Sequence, residues 1–191
     1  MSNQKIFDYQ FLKKKNYENY FVNQTNQKAY DLTIIEDFHQ NILLFGPKKS
    51  GKSYLLHLWK EKNNAILFNN NFSKLIEIKR NVVIDDFLSS SHEEDLFHLI
   101  NHCKLNQLKM YFTSSIDINS FDFKIKDLYS RLREFYYLEI KAPDDEMCKM
   151  LMVKLFSDKQ IIIKNKEIFD FIFNRVNRTY LDIYLLVDKL D

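Results

Sequence analysis

The chain has 191 residues, 46% hydrophobic and 28% charged, enough for one α/β core with a small accessory unit. A formal net charge of +2 excludes the strongly basic footprint of autonomous nucleic-acid binding, and two cysteines are too few for a disulfide framework. The start, MSNQKIFDYQFLKKK, has no apolar signal segment, and no run approaches the roughly 18 apolar residues of a membrane span, so the expectation is a cytoplasmic protein.

In chain order, residues 1–15 read as an extended arm ending in the basic run Lys13-Lys14-Lys15, which is either a solvated stretch or a local DNA-backbone contact. Residues 25–38 have helical spacing, with Thr25 or Asn26 as cap. Ile42-Leu43-Leu44-Phe45 is a short apolar run ending at Gly46, as expected of a buried parallel strand, and a helical pattern follows over 53–62. Further strands are expected at 65–68, 82–84, 109–113 and 136–140, with a helix at 93–104. Ser89-Ser90-Ser91 reads as a loop capping that helix. After Pro143 the pattern turns all-helical, over 144–157, 166–175 and 180–190. The expected organisation is an arm (1–15), an α/β core (16–142) built on a parallel five-stranded sheet flanked by helices, and a helical lid (143–191).

Glycine usage points to the site. Average usage would place about 13 glycines in a chain of this length. This one has two, Gly46 and Gly51, both inside GPKKSGKS at residues 46–53. That segment satisfies G-x-x-x-x-G-K-[ST] at every fixed position, after an apolar strand and before a helix. Glycines at these points let Gly46, Pro47, Lys48, Lys49, Ser50 and Gly51 curl so that successive N–H groups face phosphate oxygens at a helix N-terminus. Lys52 is placed to reach the β- and γ-phosphates of ATP or ADP, and Ser53 to ligate Mg²⁺, with Tyr54 in the first turn behind them. About 30 residues on, the strand Val82-Val83-Ile84 ends in Asp85 and Asp86. Asp85 is expected to hold the Mg²⁺ shell, and Asp86 to orient or deprotonate an attacking water.

With these motifs in hand, the sequence resembles the DnaA/Hda family of AAA+ proteins, over about residue 17 to the C-terminus. Tyr17-Glu18-Asn19-Tyr20-Phe21-Val22, with Thr25-Asn26-Gln27 and Ala29, is similar to the family segment F-x-N-F-V-x-G-x-x-N-x-x-A that borders the nucleotide base, which assigns Phe21 and Val22 to cofactor binding. Asn23 stands at the family glycine, a change suited to a left-handed residue. GKSYLLHLW is similar to the family's GKTHLLHA, and Asp85-Asp86 to its paired Walker B acids. Phe112-Thr113-Ser114-Ser115 corresponds to sensor 1, with Ser115 preferred over Thr113 as the polar residue. Ser130-Arg131-Leu132 in DLYSRLREF looks like the arginine-finger box, implying that Arg131 acts on nucleotide held by a neighbouring subunit.

The resemblance implies an AAA+ fold with a helical lid, ATP or ADP with Mg²⁺ as cofactors, and the initiator DnaA and the DNA sliding clamp as partners. Within the arm, Gln4, Ile6 and Phe7 are the clamp-docking candidates. Where the family carries its sensor 2 arginine this sequence has Leu181, with Arg178 one helical turn earlier as the remaining cation, which implies weak intrinsic ATPase activity. The sequence ends where DnaA would continue into its DNA-reading domain, so a regulator without sequence-specific DNA binding is expected. The alternatives are a self-assembling AAA+ ATPase such as a helicase loader, acting as a homo-oligomer, and a small-molecule P-loop kinase, for which the lid has only Arg175 and Arg178. His98 and His102 at i, i+4 beside Cys103 lack further ligands at metal-binding spacing.

Overall fold

The computed structural model describes residues 20–35, 38–68, 77, 79–90, 92–161 and 165–190. The arm, its lysine run and the clamp candidates Gln4, Ile6 and Phe7 lie outside the described residues, as do Tyr17 to Asn19 and Ser91.

Five short strands, β1 (Ile42–Phe45), β2 (Ile66–Leu67), β3 (Val82–Ile84), β4 (Met110–Ser114) and β5 (Tyr136–Glu139), form one all-parallel sheet in the order β2-β3-β4-β1-β5. Strands this apolar need cover on both faces, and successive residues go to opposite sides. Leu43, Val82, Ile84, Met110 and Phe112 pack under α3 (Phe87–Ser90), α4 (Glu93–Leu105) and α5 (Lys126–Leu132). Ile42, Leu44, Val83 and Tyr111 pack on the other face, against Ala29 of α1 (Gln27–Tyr30) and against Leu55, Leu56 and Trp59 of α2 (Lys52–Lys62). Helices α6 (Asp145–Asp158), α7 (Lys166–Phe173) and α8 (Tyr180–Leu190) enclose a separate core of Met152, Phe156, Phe173, Ile183 and Val187.

Three local expectations change. Residues 25–38 are not one helix: α1 has four residues and gives way to a π-helical turn, Asp31–Ile35, from which the Thr33 hydroxyl meets the Tyr111 phenol at 3.0 Å. Ser89 and Ser90 belong to α3 rather than to a loop, and the residue capping α4 is His92. Arg131 sits in α5, a helix with no counterpart among the expected elements, whose approach is pinned where the Glu93 carboxylate accepts from the N–H groups of Lys124 and Ile125 at 3.2 and 2.8 Å. A long-range latch joins the N-terminal hook, residues 20–26, to the lid. Asp144 caps α6 by accepting from Met147 N–H (2.7 Å) and also accepts from the Asn23 amide (3.0 Å to each oxygen) and the Gln24 amide (2.9 Å).

Candidate functional site

The loop between β1 and α2 is shaped by contacts only glycine permits. A Cβ on Gly46 would stand 2.9 Å from the Ile140 carbonyl oxygen and 3.2 Å from Ser50 Oγ. Gly51 caps α2 with φ +91°, and a Cβ there would meet Tyr20 Cε2 at 2.8 Å. Lys49 also has a positive φ of 66°, a strained conformation for a side-chain-bearing residue, and its ammonium lies over the Tyr184 ring at 5.2 Å.

Lys52 is only 7% exposed. Its ammonium turns back onto the loop, donating to the carbonyls of Gly46 (2.9 Å) and Pro47 (2.7 Å). Burial pushes it below the usual lysine range; Asp86 and Asp85 oppose that shift and Lys48 adds to it. The charge is therefore stored at the loop mouth, held by neutral carbonyls that an anion would outbid.

The acids stand across the cleft. The buried Thr113 hydroxyl donates to Asp85 Oδ1 (2.6 Å) and accepts from Asp86 N–H (2.8 Å), bolting both to the end of β4. Asp86, at φ +47°, accepts from Ser115 N–H (2.9 Å) and from the Ser89 hydroxyl (3.0 Å). Lys48, Lys49, Lys52, Ser53, Asp85, Asp86, Ser115 and Leu181 line one depression. Ser115 is thus in the cleft, while Thr113 braces it from behind.

Beside this depression is a smaller cavity of about 100 Å³, mostly apolar, between the hook, the loop and the lid. Tyr20, Phe21, Tyr54, Met147, Tyr180 and Tyr184 contribute to its wall. Of the two base-side candidates only Phe21 lines it; Val22 is half-buried and does not. Asn23 is not left-handed. Its side chain closes the hook instead, bonding Asp144 and accepting from Thr25 N–H at 2.9 Å. Tyr20 lies in the segment that resembles the family's base-bordering stretch but is not assigned to the site there, its signal being a tyrosine hydroxyl where that stretch has phenylalanine; Tyr180 and Tyr184 carry no sequence signal of a site.

Two expected residues lie elsewhere. Arg178 does not line the cleft: it precedes α8 in a bend, so helical spacing to Leu181 does not apply, and its guanidinium is held by Asp145 (3.1 Å) and over the Phe173 ring (4.7 Å). Arg131 does not line the cleft either; it lies in a separate depression beside Asn101, Lys104 and the exposed Leu105 of α4. Among the described residues no His, Cys, Asp and Glu cluster has metal-site geometry, and no helix is long and apolar enough to cross a membrane.

Solved structures place this architecture. The replication initiator DnaA bound to AMPPCP and single-stranded DNA matches over 93% of this chain and 65% of that one, with a TM-score of 0.72 and 17% identity. The fold is that of an AAA+ P-loop NTPase. Domain III of Thermotoga maritima DnaA shares this AAA+ fold over 88% of this chain and 84% of that one (TM-score 0.68, 17% identity), as does the T. maritima RuvB Holliday junction branch migration motor over 94% and 65% (TM-score 0.67, 17% identity). The chain spans slightly less than two thirds of the DnaA chain bound to AMPPCP and single-stranded DNA. No protein-family model matches the sequence, and no curated protein does.

Proposed function

We propose that this AAA+ protein is a DnaA-related regulator of chromosomal replication initiation that binds ADP or ATP and promotes hydrolysis of ATP held by DnaA. The observation that carries the reading is a division of labour between two faces. One cleft gathers three lysines, two serine hydroxyls and two carboxylates at a helix N-terminus, the chemistry of a polyphosphate site. Its lid side offers the apolar Leu181, while Arg131 stands on a separate flank where it would serve another subunit's nucleotide. In this reading the N–H groups of residues 46–51 cradle phosphate, Lys52 leaves the carbonyls for the β- and γ-phosphates, and Phe21 and Tyr54 flank the nucleoside. Ser53 and Asp85, which line the same cleft, would hold a Mg²⁺ ion, which would supply charge neutralisation at the phosphates. Asp86 and Ser115 would orient water. Gln4, Ile6 and Phe7 would dock the sliding clamp. The structural likeness to DnaA supports the replication context; it is a likeness of fold.

The test is to add the protein to DnaA in its ATP form with clamp-loaded DNA. Wild type should accelerate ATP hydrolysis, Arg131→Ala should abolish the stimulation while still binding ADP, and Lys52→Ala should lose ADP uptake in calorimetry. Absence of stimulation by wild type overturns the regulatory role. The second reading is a self-assembling ATPase motor, for which the RuvB branch migration motor offers a likeness of fold alone. Fast hydrolysis by the isolated protein, with nucleotide-dependent homo-oligomers, would establish that reading instead.

A further inference from the structure

Two buried hydroxyls in the described structure have no hydrogen-bond partner, Tyr20 Oη and Ser50 Oγ, and both residues line the apolar cavity beside the loop. Such groups are costly to leave unpaired, and two in one cavity indicate a ligand that completes them. The Tyr20 ring is held in place from three sides: it stacks on Tyr30 (5.8 Å) and on Tyr54 (5.5 Å), and its edge lies against Gly51, where a Cβ would come within 3.4 Å of the hydroxyl. The neighbouring Asn26 side chain acts on the phenol less than burial does, and its close bonds run elsewhere, to the Phe21 carbonyl as donor (2.9 Å) and from Asn23 N–H as acceptor (2.9 Å). Burial keeps the phenol protonated, so it arrives as a donor.

We infer that the Tyr20 hydroxyl is a ligand-reading group that donates a hydrogen bond to the nucleoside of the bound nucleotide, to a ribose oxygen or a base acceptor. The inference rests on the nucleotide reading above and adds a residue to it. The nucleoside, rather than a phosphate, is the acceptor because Tyr20 lines the cavity walled by Phe21, Met147, Leu151 and Tyr180, and is absent from the depression that holds Lys52, Asp85 and Asp86. The cavity also joins hook, loop and lid, so this bond would tie nucleotide occupancy to the segment leading into the core.

Tyr20→Phe tests this without disturbing the stack, since only the oxygen is removed. Two changes of opposite sign are expected. The empty variant should melt higher than wild type, because a buried unpaired hydroxyl is gone; in calorimetry, ADP affinity should fall about tenfold. Pyrophosphate affinity should be unchanged. If the empty variant melts no higher, the hydroxyl is not an unpaired burden and the inference fails. It also fails if ADP binds both proteins equally, or if pyrophosphate loses as much as ADP. A wild type that takes up no ADP removes the nucleotide reading itself, a result distinct from these.

Discussion

Leu181→Arg tests the electrostatics of the cleft most directly. Leu181 lies in the first turn of α8, 36% exposed, and faces a depression that already holds Lys48, Lys49 and Lys52 against Asp85 and Asp86. Arginine and leucine have near-equal helix propensity, so α8 itself should tolerate the exchange. A cation at a helix N-terminus costs about 0.3–1 kcal/mol, and repulsion from three lysines adds to it. At about 1 kcal/mol in all, the empty variant should melt roughly 2–4 °C lower. A bound triphosphate reverses the balance: a charge-assisted hydrogen bond to a third phosphate contributes about 1.5–3 kcal/mol, a factor of roughly 10–100. ADP, which lacks that phosphate, should gain much less. Calorimetric titration with ADP and with a non-hydrolysable ATP analogue reads the ratio. Equal gains for both nucleotides, or none for either, would refute the placement of Leu181 at the phosphate end.

Gly51→Ala combines a φ of +91° with a contact 2.8 Å from Tyr20 Cε2. The backbone strain is about 1–2 kcal/mol and the overpacking about 1–3 kcal/mol, so thermal unfolding should move down by roughly 5–15 °C. Asp144→Ala should cost about 1 kcal/mol near neutral pH as a lost cap, measured by urea denaturation. The Met147 N–H, and then the Gln24 amide, hold the Asp144 carboxyl below the usual carboxylate range. A folded-state pKa below the unfolded one means that its contribution is complete above the unfolded pKa and fades as pH falls through the folded one. The gap between wild type and Asp144→Ala should therefore be constant at pH 6–7 and shrink below about pH 4; a gap undiminished at pH 3 contradicts a charge origin.

Much of this architecture was legible because strand-forming runs here are short, apolar and bounded, and because glycine survives in only one place. Ile42 to Phe45 and Val82 to Ile84 could be placed from pattern alone. The failures are where distant partners decide local form. The stretch from Thr25 to Phe38 has helical spacing, yet a four-residue helix followed by a π turn carries Thr33 to Tyr111, a partner 78 positions away. Helix α5 escaped notice because its seven residues bury only Leu128 and Leu132, too few to register a period. Arg178 would share a helix face with Leu181 only inside one helix, and α8 starts at Tyr180, after it. The candidate cleft was readable in its loop and its acids, which are contiguous in sequence. Of its aromatic wall, Phe21 and Tyr54 were readable, but Tyr180 and Tyr184 were not, because lid and loop aromatics come together only in the fold.

The placement of those tyrosines changes what the lid can sense. A lid that answers to a terminal phosphate needs a cation aimed at it, and the nearest arginine is spent on Asp145 and Phe173. The contacts that join lid to core are of another kind: Asp144 to the Asn23 and Gln24 amides, the Tyr180 hydroxyl within 3.5 Å of Thr25, and the Lys49 ammonium over Tyr184. The first two lie at the hook and the apolar cavity, and Lys49 borders both that cavity and the depression with the acids. Lid position in this chain should therefore follow occupancy of the nucleoside cavity more than the number of phosphates. Such a protein would distinguish filled from empty better than ATP from ADP. That suits a component whose own nucleotide is structural and whose chemistry is exerted, through Arg131, on a nucleotide it does not hold.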